Sequence, residues 1–484
     1  MRAHAALLAL VAALALAACG DGAAGRGAAP STLEATLHDP DGDGALTRGP
    51  GEPLIDRTEL SPAAEPGEVL ATIAQLTDTH VRDEESPARV PFLDRLGPPF
   101  SSTFRPQEAL STQVLAAAVR SVNRLEPDAV VVTGDIVDSA AQVELDQALA
   151  VLDGGEVDPD TGAPGYDGVQ DAGNPDPLIY RPDLDAPRHP GVLEAAARPF
   201  RSPGLTAPWY PALGNHDLLV QGETPPTERI DAFAIGSRMV VGLDPGVHPS
   251  AGDDSARAVD ALLAAGAPGR SIEVPPDPRR RAMRPDELIA RLALREGAPR
   301  PLQATNGLRK LDYAFDVGAV RALVLDTVDR RGGSRGFLDA GRLRWLRGEL
   351  RAARGRPLLV FSHNPLDNTE RGEEALAALD ATPGVLATIA GNSHRNRIRP
   401  RASAEGGYWQ ISTSSLADHP QQARALRVRR TAAGYVLETW MLDHDGEGLA
   451  GIARELAFLD AQGGRPQGFA GARSDRNARL FVDK

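Results

Sequence analysis

A single cysteine, Cys19, stands in 484 residues, so no internal disulfide is available to the chain. A cysteine-ligated zinc site or iron–sulfur cluster is excluded for the same reason. Aromatic residues make up only 4% of the sequence, which leaves Ala, Val, Leu and Ile to build the core. Positive charge is also in deficit. The formal net charge is −14 and the isoelectric point is near 5.3, so no stable nucleic-acid partner is expected. The local cluster of Arg279, Arg280, Arg281 and Arg284 reads as a solvated loop.

Long apolar runs are missing too, with one exception. "MRAHAALLALVAALALAACGDG" opens with Arg2 and is apolar from Ala5 to Ala18. That is the pattern of an export signal, too short for a good spanning helix. Leu16-Ala17-Ala18-Cys19 resembles a bacterial lipobox. The expectation is a signal peptide over 1–18 and a cell-envelope lipoprotein held to the membrane by lipid on Cys19, with plain secretion as the alternative.

What is abundant is turn-forming residues and apolar segments. With 42% hydrophobic residues the chain can bury a large core, and 49 Gly and 40 Pro imply many loops. Residues 19–66 read as a flexible, lipidated tether. Within it "DPDGDGAL" resembles half of a calcium loop, but its twelfth position is Pro50, so an acidic turn is preferred. From residue 67 strands and helices alternate. "VLATIAQLT", "DAVVVTG", "APWYPALG", "PLLVFSH" and "VLATIAG" read as strands; 107–125, "AQVELDQALAVLD", "PDELIARLALRE" and "DAGRLRWLRGELRAA" read as helices. "YAFDVGAVRALVLDT" reads as two strands meeting near Gly318. Residues 153–207 and 218–305 read as insertions, and 446–484 as a C-terminal extension. The alternation implies a largely parallel sheet with helices outside it; the later segments "ARALRVRR" and "GYVLETWML" suggest a second sheet packed on the first.

In open α/β sheets, ligands sit beyond the C-terminal ends of the strands. Five predicted strands finish on Asp, Asn or His: Thr77-Asp78-Thr79-His80, Gly134-Asp135, Gly214-Asn215-His216-Asp217, Ser362-His363-Asn364 and Gly391-Asn392-Ser393-His394. One such ending is an ordinary turn or cap. The conjunction is not, since four of only 10 histidines fall in these five places. Asp, Asn and neutral His are ligands for hard or borderline divalent metals.

In their order these motifs resemble those of the calcineurin-like metallophosphoesterases: D-x-H, G-D, G-N-H-D/E, a lone His, then G-H-x-H. The resemblance spans residues 70–445, and "AQLTDTHVRDEESPARVPFLDR" looks like an exported bacterial subgroup. It implies a sandwich of two mixed β-sheets flanked by helices (α/β/β/α) over 67–445. It also implies two divalent metal ions, with Mn placed first and Fe, Zn, Mg or Ca as alternatives. Asp78, His80 and His394 would hold the first metal, Asn215 and His363 the second, and Asp135 both. His216 would stand over the substrate, paired with Asp217, and these two are the catalytic candidates. The implied reaction is hydrolysis of a phosphomonoester or phosphodiester by a hydroxide held between the metals.

Asn392 departs from the family pattern, which has His there. An amide oxygen is neutral like imidazole but harder, so Asn392 as a ligand favours Mn²⁺, Mg²⁺ or Ca²⁺ over Zn²⁺. A lost second metal is the other outcome. Two functional alternatives stay open: a hydrolase of another ester or anhydride bond, and a non-catalytic metal-binding lipoprotein module on the same fold.

Overall fold

The computed structural model describes residues 31–89, 104–247, 255–303, 309–353, 355–460 and 469–483. The expected export signal over 1–18 and Cys19 lie outside the described residues. Two mixed sheets face each other. One has seven strands, in the order Ile55–Arg57, Ala478–Asp483, Gly434–Asp443, Gln422–Arg430, Val69–Leu76, Ala129–Thr133 and Trp209–Ala212. The other has six: Tyr313–Val317, Val320–Leu325, Leu358–Ser362, Val385–Ala390, Tyr408–Ser412 and Arg397–Arg401.

Each sheet has a parallel block at its heart. Ala129–Thr133 pairs parallel with both Val69–Leu76 and Trp209–Ala212. Leu358–Ser362 does the same with Val320–Leu325 and Val385–Ala390. These strands are buried on both faces, which is why they read as unbroken apolar runs such as Ala129-Val130-Val131-Val132. Their inner faces form one core, in which Tyr210 stacks on Phe315 with ring centroids 3.6 Å apart. A polar bridge joins the sheets beneath the strand ends: Gln75 Nε2 donates to Thr133 Oγ1 at 2.8 Å, and Thr413 Oγ1 donates to Gln75 Oε1 at 2.6 Å. The helices Ser111–Leu125, Gln142–Leu152 and Leu449–Leu459 pack beside the seven-stranded sheet. Ala340–Ala353 covers the six-stranded one, its Leu343, Leu346 and Leu350 meeting Leu323, Leu358 and Val360.

Four expectations need correcting. The pair Gln422–Arg430 and Gly434–Asp443 does not found the second sheet. It joins the first, with Leu426 opposite Ile73 in an antiparallel register. Residues 31–66 are not simply a tether, because Ile55–Arg57 forms the edge of the seven-stranded sheet. Nor is the C-terminus an appendage: Ala478–Asp483 lies between that edge and Gly434–Asp443. Pairing partners more than 30 residues away decide these placements, and local periodicity carries no trace of them. The arginine cluster is not wholly solvated either. Arg280 is buried and pairs with Asp83 at 2.8 Å and Glu85 at 3.3 Å, tying its segment to the loop after Val69–Leu76. In the acidic turn, Asp39 accepts from the Gly42 and Gly44 amides.

Candidate metal centre

The parallel strands end together, and their C-terminal loops carry the polar motifs. Asp78, His80, Asp135, Asn392 and His394 all have φ between 42° and 60°, in the left-handed region that costs most residues energy. Cross-loop backbone bonds hold them there. Asp78 N donates to Gly134 O and His80 N to Asp135 O, each at 3.0 Å, and Gly391 N donates to His363 O at 2.9 Å. Glycine is required at two of these crossings. A Cβ on Gly134, at φ 88°, would lie 2.6 Å from Gly214 N and 2.7 Å from His363 Nδ1. One on Gly214 would lie 2.1 Å from Asp135 Oδ1.

The side chains converge. Asp78, His80, Asp135 and His394 each bring one donor atom within 4.8 Å of the others. His80 Nε2 lies 3.3 Å from His394 Nε2, and His394 Nε2 lies 3.3 Å from Asp78 Oδ1. Against the other side of Asp135, His363 Nε2 lies 3.1 Å from both Asp135 Oδ2 and Asn215 Oδ1. Asn215 Nδ2 donates to Gly222 O at 3.0 Å, which turns its carbonyl oxygen inward.

The outer nitrogen of each imidazole settles the inner one. His80 Nδ1 faces Asp138 Oδ1 at 3.1 Å, His394 Nδ1 faces Asp418 Oδ2, and His363 Nδ1 donates to Thr133 O at 2.8 Å. Acceptors without a proton to give keep the hydrogen on Nδ1, so in the neutral ring each Nε2 presents a lone pair to the carboxylates of Asp78 and Asp135. Lone pairs crowded on lone pairs call for positive charge. The titration shifts report the same field. Burial pulls His394 and His363 down, but Asp78 and Asp418 lift the first to about 10, and Asp135 lifts the second to about 9. Burial resists ionisation of Asp78 and Asp135 as well, yet the facing histidines hold both below the ordinary carboxylate range. His80 goes the other way: burial, then the neighbouring His216, pushes it down to about 4. The donor set of carboxylate, amide oxygen and imidazole fits hard or borderline divalent cations. The buried Asp and His clusters are consistent with a two-metal site.

Asn392 gives its backbone N–H to Asp78, at 3.0 Å from Oδ1, and lines a cavity that His80, Asp135 and His394 also line. His216 lines it too. Its backbone N–H donates to Asp135 Oδ1 at 2.8 Å, and its Nδ1 donates to Asp138 O at 2.7 Å with the Asp138 carboxylate 3.4 Å away. Burial opposes protonation of this ring, but Asp135 and Asp138 outweigh it and raise its pKa.

The expected pairing of His216 with Asp217 is wrong. Asp217 turns away and accepts three backbone N–H groups, from Gly214 and Ile136 at 2.8 Å and Val137 at 3.1 Å. Neighbours on a helical turn point about 100° apart, so the residue after His216 does not face the same way. The carboxylate beside His216 is Asp138, missed in the sequence although "GDIVD" puts it three residues after Asp135. Asp418 was missed as well, and "SLADHP" holds no signal for it. Arg105 pairs with Asp418 at 2.6 Å, and Arg82 pairs with Asp138 and Glu108, so both carboxylates behind the histidines are themselves held.

The chain belongs to the calcineurin-like phosphoesterase family, whose model matches residues 71–396. Among solved structures it is similar to a dimetal phosphatase from Danio rerio, at 14% identity and TM-score 0.40 over 78% of this chain and 100% of that one. It is also similar to the sulfate thiohydrolase SoxB of Thermus thermophilus in complex with glycerol, at 14% identity and TM-score 0.30 over 83% of this chain and 61% of that one. No curated protein matches it.

Proposed function

We propose that the protein is a metal-dependent hydrolase of phosphomonoesters or phosphodiesters, anchored in the cell envelope by lipid on Cys19. The observation that carries the enzymatic reading is the convergence of three imidazole Nε2 atoms on two buried carboxylates, each ring fixed from behind. Asp78, His80 and His394 would hold one cation, Asn215, His363 and Asn392 a second, and Asp135 would touch both. Divalent cations bound there supply Lewis acidity toward a phosphoryl group and toward water.

The chain's own groups do the rest. His216 lines the cavity with Nδ1 occupied by Asp138, which leaves Nε2 to carry a proton to the departing ester oxygen. Asp138 orients that ring and favours its charged form. The loop amides and glycines hold Asp135 and His363 in place without side chains of their own.

Chelated protein should turn over neither an aryl phosphate monoester nor a diester, and adding back Mn²⁺, Zn²⁺, Mg²⁺, Fe²⁺ or Ca²⁺ one at a time should restore hydrolysis with at least one. Asp135→Asn should lose both turnover and bound metal. No restoration by any ion would refute the reading. The anchor rests on Leu16-Ala17-Ala18-Cys19. Labelled-lipid incorporation should occur in the whole chain and vanish in Cys19→Ala; a wild-type chain that takes up no lipid is not a lipoprotein.

A further inference from the structure

The metal centre opens into a cavity of about 290 Å³, near the lower end of the roughly 300–1,000 Å³ typical of small-molecule sites. Its lining combines two chemistries. The polar His80, Asp135, Asn215, His216, Asn392 and His394 share it with the apolar Val220, Ile230, Phe233, Val259, Leu263 and Phe469. Four of these apolar residues come from two helices of the 218–305 insertion. Ile230 and Phe233 are three apart on Glu228–Ala234, and Val259 and Leu263 are four apart on Ser255–Ala264, so each pair shares one helix face. The two helices pack together. Phe233 and Leu263 are only half-buried, which leaves apolar surface facing the cavity. Phe469 brings its ring within 6.5 Å of the His394 ring, so the apolar lining begins beside the metal donors.

Charge narrows the ligand further. The lining cations among the described residues are Arg82 and Arg105, both buried and paired with Asp138, Glu108 and Asp418. The cavity beyond the metal donors therefore offers a second phosphate no available cation among the described residues. Of the neutral polar lining residues outside the metal donors, Ser334 and Ser393 are exposed, while Gln221 is half-buried, with its Nε2 unpartnered among the described residues, and Thr224 is buried. A polar group placed against Ile230 and Phe233 would be buried there without partners, which is costly.

We propose that the organic group of the phosphoester is an alkyl or aryl group, and that the Ile230, Phe233, Val259 and Leu263 wall receives it. This rests on the phosphoesterase reading and names its substrate class. Methyl, butyl and hexyl phosphate test it, because their leaving alcohols are of similar acidity while the apolar area grows. With the metal-loaded full chain, kcat/KM should rise roughly fourfold per methylene, the transfer preference of a buried CH₂ expressed as a rate. The matching alkylphosphonates, which are not hydrolysed, should bind more tightly with chain length and with an increasingly negative heat-capacity change by calorimetry. Phe233→Ala should flatten both slopes. Hydrolysis that proceeds with no dependence on chain length, or phosphonate affinities that stay level, overturns the leaving-group assignment alone. Failure of every ester to turn over, with the phosphonate slope intact, overturns the phosphoesterase reading and this assignment with it. The phosphonate series on the unmodified chain requires no variant to fold.

Discussion

At the scale of single residues, His216, Asp138 and Asp217 separate chemistry from scaffolding. His216→Ala should keep its metal content and lose turnover by roughly 10²–10⁴, the usual scale for a general acid, with a smaller loss for a leaving group that departs without a proton. Asp138→Asn should move the alkaline limb of the pH–rate profile downward, because His216 loses the carboxylate that raises its pKa. Asp217→Asn should leave that limb in place and cost stability instead. Its amide would set a donor against one of three backbone N–H groups, a loss of about 1–3 kcal/mol by denaturant titration. If Asp217→Asn moves the limb and Asp138→Asn does not, the assignments are reversed. The ligand candidates were legible in the sequence because each belongs to a short motif at a strand end. The carboxylates behind them were not, since hydrogen bonding to a ring's far nitrogen leaves no spacing rule. Asn392 is the residue whose role the motif leaves open. Asn392→His should retain activity and shift preference from Mn²⁺ toward Zn²⁺. Asn392→Ala should deplete one metal and spare the site of Asp78, His80 and His394. Unchanged occupancy and turnover in Asn392→Ala would reduce Asn392 to a turn residue.

At the scale of elements, the buried parallel strands were readable and the sheet edges were not. A strand covered on both faces must be apolar throughout, so Val385–Ala390 announces itself. The helix Ala340–Ala353 does so through its apolar spacing. Ile55–Arg57 is only three residues long, and Ala478–Asp483 draws its meaning from Gly434–Asp443. Arg424 shows how far an alternating pattern can mislead. It sits in "ARALRVRR" where solvent exposure is the natural reading, yet it is fully buried and donates to Thr413, Thr439 and Asn396. Deleting residues 478–484 tests whether the C-terminus is structural. Leu480, Phe481 and Val482 are buried, and each such side chain contributes about 1.5–3 kcal/mol. The truncation should lower the denaturation midpoint sharply and promote aggregation through the uncovered edge of Gly434–Asp443. A truncated chain as stable as the full one would return the segment to the role of an appendage.

At the scale of the whole molecule, buried titratable groups pull stability in two directions as pH changes. Burial raises Glu85 to about 9, Glu144 to about 8 and Asp217 to about 7, with neighbouring carboxylates adding to it. The unfolded chain releases these protons near 4.5 for Glu and 3.8 for Asp, so the folded state holds them longer. Their effect is a loss of stability that begins there and is complete at the folded values. His363 and His394, at about 9 and about 10 against 6.5 unfolded, act in the same direction at higher pH. His80 and His419, both lowered by burial to about 4, act oppositely: stability rises as pH climbs from their folded values to 6.5. The two sets therefore offset each other from about pH 4.5 to 6.5, and above 6.5 only the proton-retaining set remains. Chelated protein should hold a plateau between about pH 4.5 and 6.5 and then lose stability steadily toward pH 10. A divalent cation on His363 and His394 replaces their protons, so metal-loaded protein escapes that share of the loss. The difference in thermal midpoint between Mn²⁺-loaded and chelated protein should accordingly widen as pH rises from 6.5 to 10. A gap that stays constant across that window would show that neither histidine holds a proton above pH 6.5 in the metal-free protein.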